Sequence, residues 1–196
     1  MHKRISPHGD FDHLGNAFNI IDNIKVNNVI FNNDGFSELE NNLVNKLNER
    51  KISYYQNVDK IIFNKDKIFF LSTKLFNNEN DNSIVLYMSI KNYHFLFMGD
   101  ASSVREKEIL LKYNLPDIDV LKVGHHGSKT SSSKEFISAI KPEYGVISVG
   151  KNNRYGHPNK EVLENLKESK IYRTDRDGSI MFKIKNNKLN VETCNP

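Results

Sequence analysis

Cysteine is nearly missing from this chain of 196 residues: Cys194 stands alone, close to the carboxyl end. That excludes an internal disulfide and any zinc site built from cysteines. No apolar run approaches the roughly 18 residues needed to cross a bilayer. The start, "MHKRISPHGD", has no apolar core of a secretory signal, so the chain as given reads as soluble. Internal repeats and linkers are also lacking, and no long basic stripe is legible. A net charge of +4 and a pI near 9.0 are compatible with a polyanionic substrate without demonstrating one.

With 38% apolar residues, the chain is long enough for one sizeable core, and 1–196 reads as a single domain. "AFNIIDNI" has helical spacing, "NVIF" reads as a short buried strand, and Ser37 to Arg50 forms an amphipathic helix with Leu39, Leu43 and Leu47 on one face. "KIIF", "KIFFLS", "SIVLYMSI" and "YHFLFMGD" are strands, the last two joined as a hairpin at Lys91 and Asn92. Helices and strands then alternate from Ser103, with Ser132 and Glu135 as a capping box and "KIYRTDRDGSIMFKI" as a hairpin turning at Asp177-Gly178. This order points to α/β architecture, with mixed sheets and helices packed outside.

"SPHGDFDHLGN" places His8, Asp10, Asp12 and His13 within six residues. Histidine and aspartate supply the nitrogen and oxygen ligands of divalent metals, and side chains at such short spacing converge only from a loop. Further chemistry falls at strand ends, where α/β proteins assemble sites. "FLFMGD" delivers Asp100, "VLKVGHHGS" delivers His125 and His126, and "ISVGKNNRYGHP" delivers Arg154, Tyr155 and His157. Each has a structural alternative. Asp100 could cap a helix, Ser128, Lys129, Thr130 and Ser131 could cap the next one, and Arg154 to His157 could be a tight turn. Arg173, Asp175 and Arg176 carry less, since exposed hairpins are often charged, and His94 within its strand reads as structural.

The order His-x-Asp-x-Asp-His, Gly-Asp, His-His-Gly-Ser resembles the metallo-β-lactamase fold superfamily. "HGDFDHLGN", "FLFMGDAS", "DVLKVGHHGSKTSSSKEF", "ISVGKNNRYGHP" and "YRTDRDGSI" together resemble the carboxyl-terminal domain of ComEC-type DNA-internalisation competence proteins. The resemblance implies an αββα sandwich with two divalent metal ions at one edge. His8 and Asp10 would serve one metal, Asp12 and His13 the other, and Asp100 would bridge them. His125 or His126 would complete the shell of the second metal, with His126 preferred. It implies a phosphodiesterase or nuclease acting on DNA during competence uptake through a metal-activated hydroxide. Asp12 and His157 would be catalytic, His157 by protonating the leaving oxygen. Ser128, Lys129, Thr130, Ser131, Arg154 and Tyr155 would hold substrate, with Lys122 and Lys151 among the basic surroundings.

Asp10 stands where histidine is usual, and "NENDNS" where another histidine is expected. The two ions would be manganese or zinc, with magnesium possible, and the oxygen-rich shell shifts preference from zinc toward manganese or magnesium. Family members carry strands ahead of the first motif, so this chain is expected to be amino-terminally incomplete. Within a ComEC-like protein the domain would be attached to a membrane channel on the extracytoplasmic side; otherwise it would be cytoplasmic. Oligomeric state is not legible. Two other functions remain open: hydrolysis of small or lipid-linked phosphodiesters, and a catalytically silent metal-binding module of a DNA-uptake assembly.

Overall fold

In the computed structural model the described residues are 3–5 and 14–195, which leaves His8, Asp10, Asp12 and His13 outside them. Among the described residues the fold opens on a parallel three-stranded sheet, β1 (Lys3–Ile5), β2 (Asn28–Ile30) and β3 (Ser53–Tyr55), in that spatial order. Helices α1 (Ala17–Asn23) and α2 (Glu38–Glu49) make the crossovers. Ser37 caps α2, accepting from the Glu40 amide while Glu40 reaches back to the Ser37 amide. The helices bury Ala17, Ile21, Leu43 and Leu47 against Val29 and Phe31, which makes one apolar cluster.

The second sheet has seven strands. In chain order these are β4 (Lys60–Phe63), β5 (Asp66–Phe70), β6 (Leu86–Ile90), β7 (Tyr93–Phe97), β8 (Val120–Lys122), β9 (Tyr144–Ile147) and β10 (Lys170–Arg173). Spatial order follows chain order, antiparallel from β4 to β7 and parallel from β7 to β10. Lys91 and Asn92 both have positive φ, the conformation that a two-residue hairpin turn with the strands' own twist requires.

Helices α3 (Ser103–Lys112), α4 (Lys134–Ile140) and α5 (Lys160–Asn165) supply Ile109, Phe136, Ile140 and Val162 to a second cluster with Leu96, Leu121 and Ile147 of the sheet. Alternation along the strands sends Phe95, Phe97, Val120 and Val146 to the opposite face. There, Ile180, Phe182 and Ile184 enclose with them an apolar cavity of about 450 Å³. Those three residues belong to β11 (Ser179–Lys185), which pairs antiparallel with β12 (Lys188–Cys194).

Two local expectations change. Lys170–Arg173 is not the first arm of a hairpin: it runs parallel to β9, and Thr174–Asp177 forms a short helical turn, α6, before β11. The antiparallel hairpin is β11–β12, turning at Asn186 and Asn187, both at positive φ. The cap of α4 is Ser133, whose hydroxyl accepts from the Phe136 amide. Ser132 sits one residue earlier at φ 56° and donates its amide to the Glu106 carboxylate instead.

Candidate metal centre

β7 and β8 are parallel neighbours, so the loops leaving their carboxyl ends come together. Gly99, at φ 56°, turns the chain so tightly that a Cβ there would lie 2.9 Å from the Ser83 Cβ. Asp100 follows, 5% exposed, its amide donating to the Ser83 hydroxyl at 3.1 Å. The helix beyond is capped by Ser102, so Asp100 is not a cap. His125 donates its amide to the Gly99 carbonyl at 3.0 Å, which ties the two loops together.

His125, His126 and Gly127 all occupy the left-handed region, with φ of 46°, 54° and 80°. Non-glycine residues there store strain that the surroundings must hold in place. The result brings His125 Nε2 to 3.9 Å from Asp100 Oδ2. That is beyond hydrogen-bond range, and somewhat longer than the roughly 3.4 Å between two donors on one tetrahedral ion at bonds of about 2.0–2.2 Å. His126 Nδ1 lies 2.8 Å from the Ser148 carbonyl oxygen. A carbonyl only accepts, so Nδ1 is the nitrogen that donates to it.

His157 joins from the loop after β9, its ring 6.2 Å from that of His125, and Tyr155 stacks on it at 5.9 Å. Burial pulls the His157 ring below the ordinary histidine range; His125 and His126 add to this and Asp100 opposes it. Tyr155 is 70% exposed, with the Arg154 guanidinium 5.3 Å from its ring centroid. Exposed Arg154 and Tyr155, with half-buried His157, form a ledge beside Asp100 and His125.

The loop after His126 divides. Lys129 and Thr130 are exposed, and the Thr130 hydroxyl lies 3.4 Å from His125 Nδ1. Ser128 and Ser131 are buried. Ser131 donates to the Gly124 and Ser128 carbonyls, at 2.8 and 3.0 Å, so its hydroxyl shapes the loop from inside. Lys122 also differs from expectation: it lines the apolar cavity, donates to the Val123 carbonyl and is pushed by burial below the ordinary lysine range. It is not part of an exposed basic surface. His94 is structural, stacked on Tyr87 with Nδ1 2.7 Å from the Tyr87 hydroxyl.

Sequence reasoning passed over Glu106 of α3. Its buried carboxylate accepts the amides of Ser132 and Ser133 and so anchors the end of the 128–133 loop. A glutamate on a helix carries no motif, and only the fold shows what it holds. Among the described residues no three His, Cys, Asp or Glu side chains suffice alone to hold an ion. Asp100, His125 and His126 provide oxygen and nitrogen donors of the kind a divalent metal takes, and completing a shell falls to the opening motif outside the described residues.

The sequence profile of the metallo-beta-lactamase superfamily matches residues 8–151. The chain is 43% identical over 94 residues to "ComE operon protein 3" of Bacillus subtilis, covering 47% of this chain and 12% of that protein. It is 42% identical over 91 residues to "Competence protein ComA" of Neisseria gonorrhoeae, covering 44% of this chain and 13% of that one. It therefore spans only about an eighth of the length of these curated relatives, as those 12% and 13% shares show. A crystal structure from Parabacteroides distasonis, described as a metal-dependent hydrolase, superposes with a TM-score of 0.54. It covers 88% of this chain and 76% of that one at 14% identity, a likeness of fold alone.

Proposed function

Because this chain belongs to the metallo-beta-lactamase superfamily, we propose that it is a metal-dependent phosphodiesterase acting on DNA. The carrying observation is the convergence of buried Asp100 with His125 and its neighbour His126 at the ends of two adjacent parallel strands, beside exposed Arg154 and Tyr155 and half-buried His157. DNA as the phosphodiester is favoured by the competence proteins among the relatives. It is favoured also by the ledge itself, since an exposed aromatic ring with a neighbouring guanidinium suits base stacking and phosphate contact.

When bound, divalent cations would supply Lewis acidity to the phosphate and lower the pKa of water toward neutrality. Asp100, Asp12, His13 and His126 Nε2 would hold one of them, with His125 at its margin. His8 and Asp10 would hold the other, with Asp100 shared. Lys129 and Arg154 bind and orient the phosphodiester. His157 donates to a phosphate oxygen and protonates the leaving oxygen.

The test strips metal from the chain, restores manganese, magnesium or zinc in turn, and offers a DNA oligonucleotide, a small aryl phosphodiester and a lipid-linked phosphodiester. Metal-dependent cleavage with preference for DNA supports the proposal. Preference for either other substrate replaces DNA with that class, and metal binding without cleavage of any of the three returns the chain to a silent metal-binding module.

A further inference from the structure

The β9–β10 ladder ends at the pair Ile147 and Arg173. One residue beyond, a side chain takes over from the backbone. The Thr174 hydroxyl accepts from the Val149 amide at 2.7 Å and donates to the Val149 carbonyl at 2.8 Å. The Val149 amide belongs to the same peptide group as the Ser148 carbonyl, and that carbonyl accepts the His126 Nδ1 proton at 2.8 Å. The corner carrying Thr174 is itself braced: the Arg173 amide donates to Asp177 at 2.7 Å, and the Arg173 guanidinium pairs with Asp175 at 2.9 and 2.6 Å.

We infer that Thr174 is a positioning residue for His126, gripping one end of the 148–149 peptide while the imidazole grips the other. The inference rests on the reading of His126 as a metal donor. The chain runs from His126 Nδ1–H to Ser148 O, through the peptide to Val149 N–H, to Thr174 Oγ1, whose own proton goes to Val149 O. Every donor in it has an acceptor, and each bond polarises the next in the same sense. The peptide cannot tilt without breaking the threonine contacts, and the ring cannot turn without losing the carbonyl. The imidazole is thereby held in one orientation by a group remote from it in sequence. Removing an outer-shell partner of this kind typically costs about 10- to 100-fold in metal affinity.

Thr174→Val keeps the shape and removes both hydroxyl bonds; Thr174→Ser keeps the hydroxyl. Two measurements on the full chain separate positioning from simple stability: titration with cobalt(II), and nitrogen-15 NMR of the imidazole rings. The parent should show His126 protonated at Nδ1. In Thr174→Val that signature should broaden or shift to a mixture of tautomers, with cobalt affinity falling about 10- to 100-fold, while Thr174→Ser stays within about threefold of the parent. A parent ring protonated at Nε2 overturns the inference without any variant. So does a folded Thr174→Val with parental affinity and ring signature, or a Thr174→Ser as defective as the valine. Should the valine variant fail to fold, Thr174→Ala and the parental tautomer decide by the same criteria. Unchanged cobalt affinity in His126→Ala would instead sink the reading of His126 as a ligand, and the ring signature in Thr174→Val would then judge the positioning alone.

Discussion

Gly127→Ala is the substitution that the site should tolerate least for its size. Gly127 lies between the two histidine loops, at φ 80°, and its carbonyl accepts the Asn159 amide at 2.8 Å. A methyl group there would meet the Pro158 Cβ at 2.6 Å and its Cα at 3.1 Å. Ordinary carbon contacts are about 3.5–4.0 Å, so the two loops must part by roughly 1 Å. The left-handed backbone costs an alanine about 1–2 kcal/mol, and overpacking between two backbones adds about 1–3 kcal/mol. The sum is about 2–5 kcal/mol, which for a chain of this size lowers Tm by roughly 5–15 °C. Because the strain separates His126 from His157, a displacement of that size should also cost about 10²-fold in metal-dependent cleavage. Gly150→Ala is the control: it is exposed, has no atom within 4 Å of its would-be Cβ, and should stay within about 0.5 kcal/mol of the parent. Thermal unfolding and cleavage assays on the two variants decide the matter. Equal Tm and equal activity would refute the reasoning from the Gly127–Pro158 contact.

Lys129→Ala and Arg154→Ala should each weaken DNA binding and reduce the salt slope of log K by about 1, with metal affinity unchanged; unaltered slopes would return both residues to surface roles. Burial pushes the Glu106 carboxyl above the ordinary glutamate range, against the pull of the Ser133 and Ser132 amides. The folded state therefore binds that proton more tightly than the unfolded chain does. The associated stability is complete at acid pH and is lost as pH rises through the raised value. The stability difference between the parent and Glu106→Gln should accordingly narrow with rising pH, read by thermal unfolding from acid to neutral; a pH-independent difference would contradict it. Asp10→His should move the metal preference for cleavage from manganese or magnesium toward zinc, and zinc preference in both proteins would end the reasoning from ligand hardness.

What the sequence made legible was local. The hairpin at Lys91 and Asn92 is announced by two polar residues between alternating strands, and both adopt the positive φ that turn needs. The site loops at Asp100 and His125–His126 are announced by their strand ends. Asp177-Gly178 is a strong turn signal and points to Lys170–Arg173 as a hairpin arm. That segment's actual partner is β9, more than twenty residues earlier, and parallel pairing leaves no mark in the connecting turn. The α4 cap moved from Ser132 to Ser133 for a related reason: Glu106, distant in sequence, claims the Ser132 amide. The support behind His126 was invisible because a backbone carbonyl has no sequence signature and Thr174 looks like any hydroxyl in a charged turn. The opening motif, the most explicit signal of all, lies outside the described residues.

The most direct test compares the metal-stripped chain with Asp12→Ala, His13→Ala and Asp100→Asn in cleavage of one DNA oligonucleotide before and after manganese is restored. The parent should be inert without metal and regain cleavage with it, while all three variants stay inert at saturating manganese and keep the helical content of the parent. Cleavage that survives metal removal, or any of the three variants cutting at the parental rate, would contradict a shared metal centre built from the opening motif and Asp100.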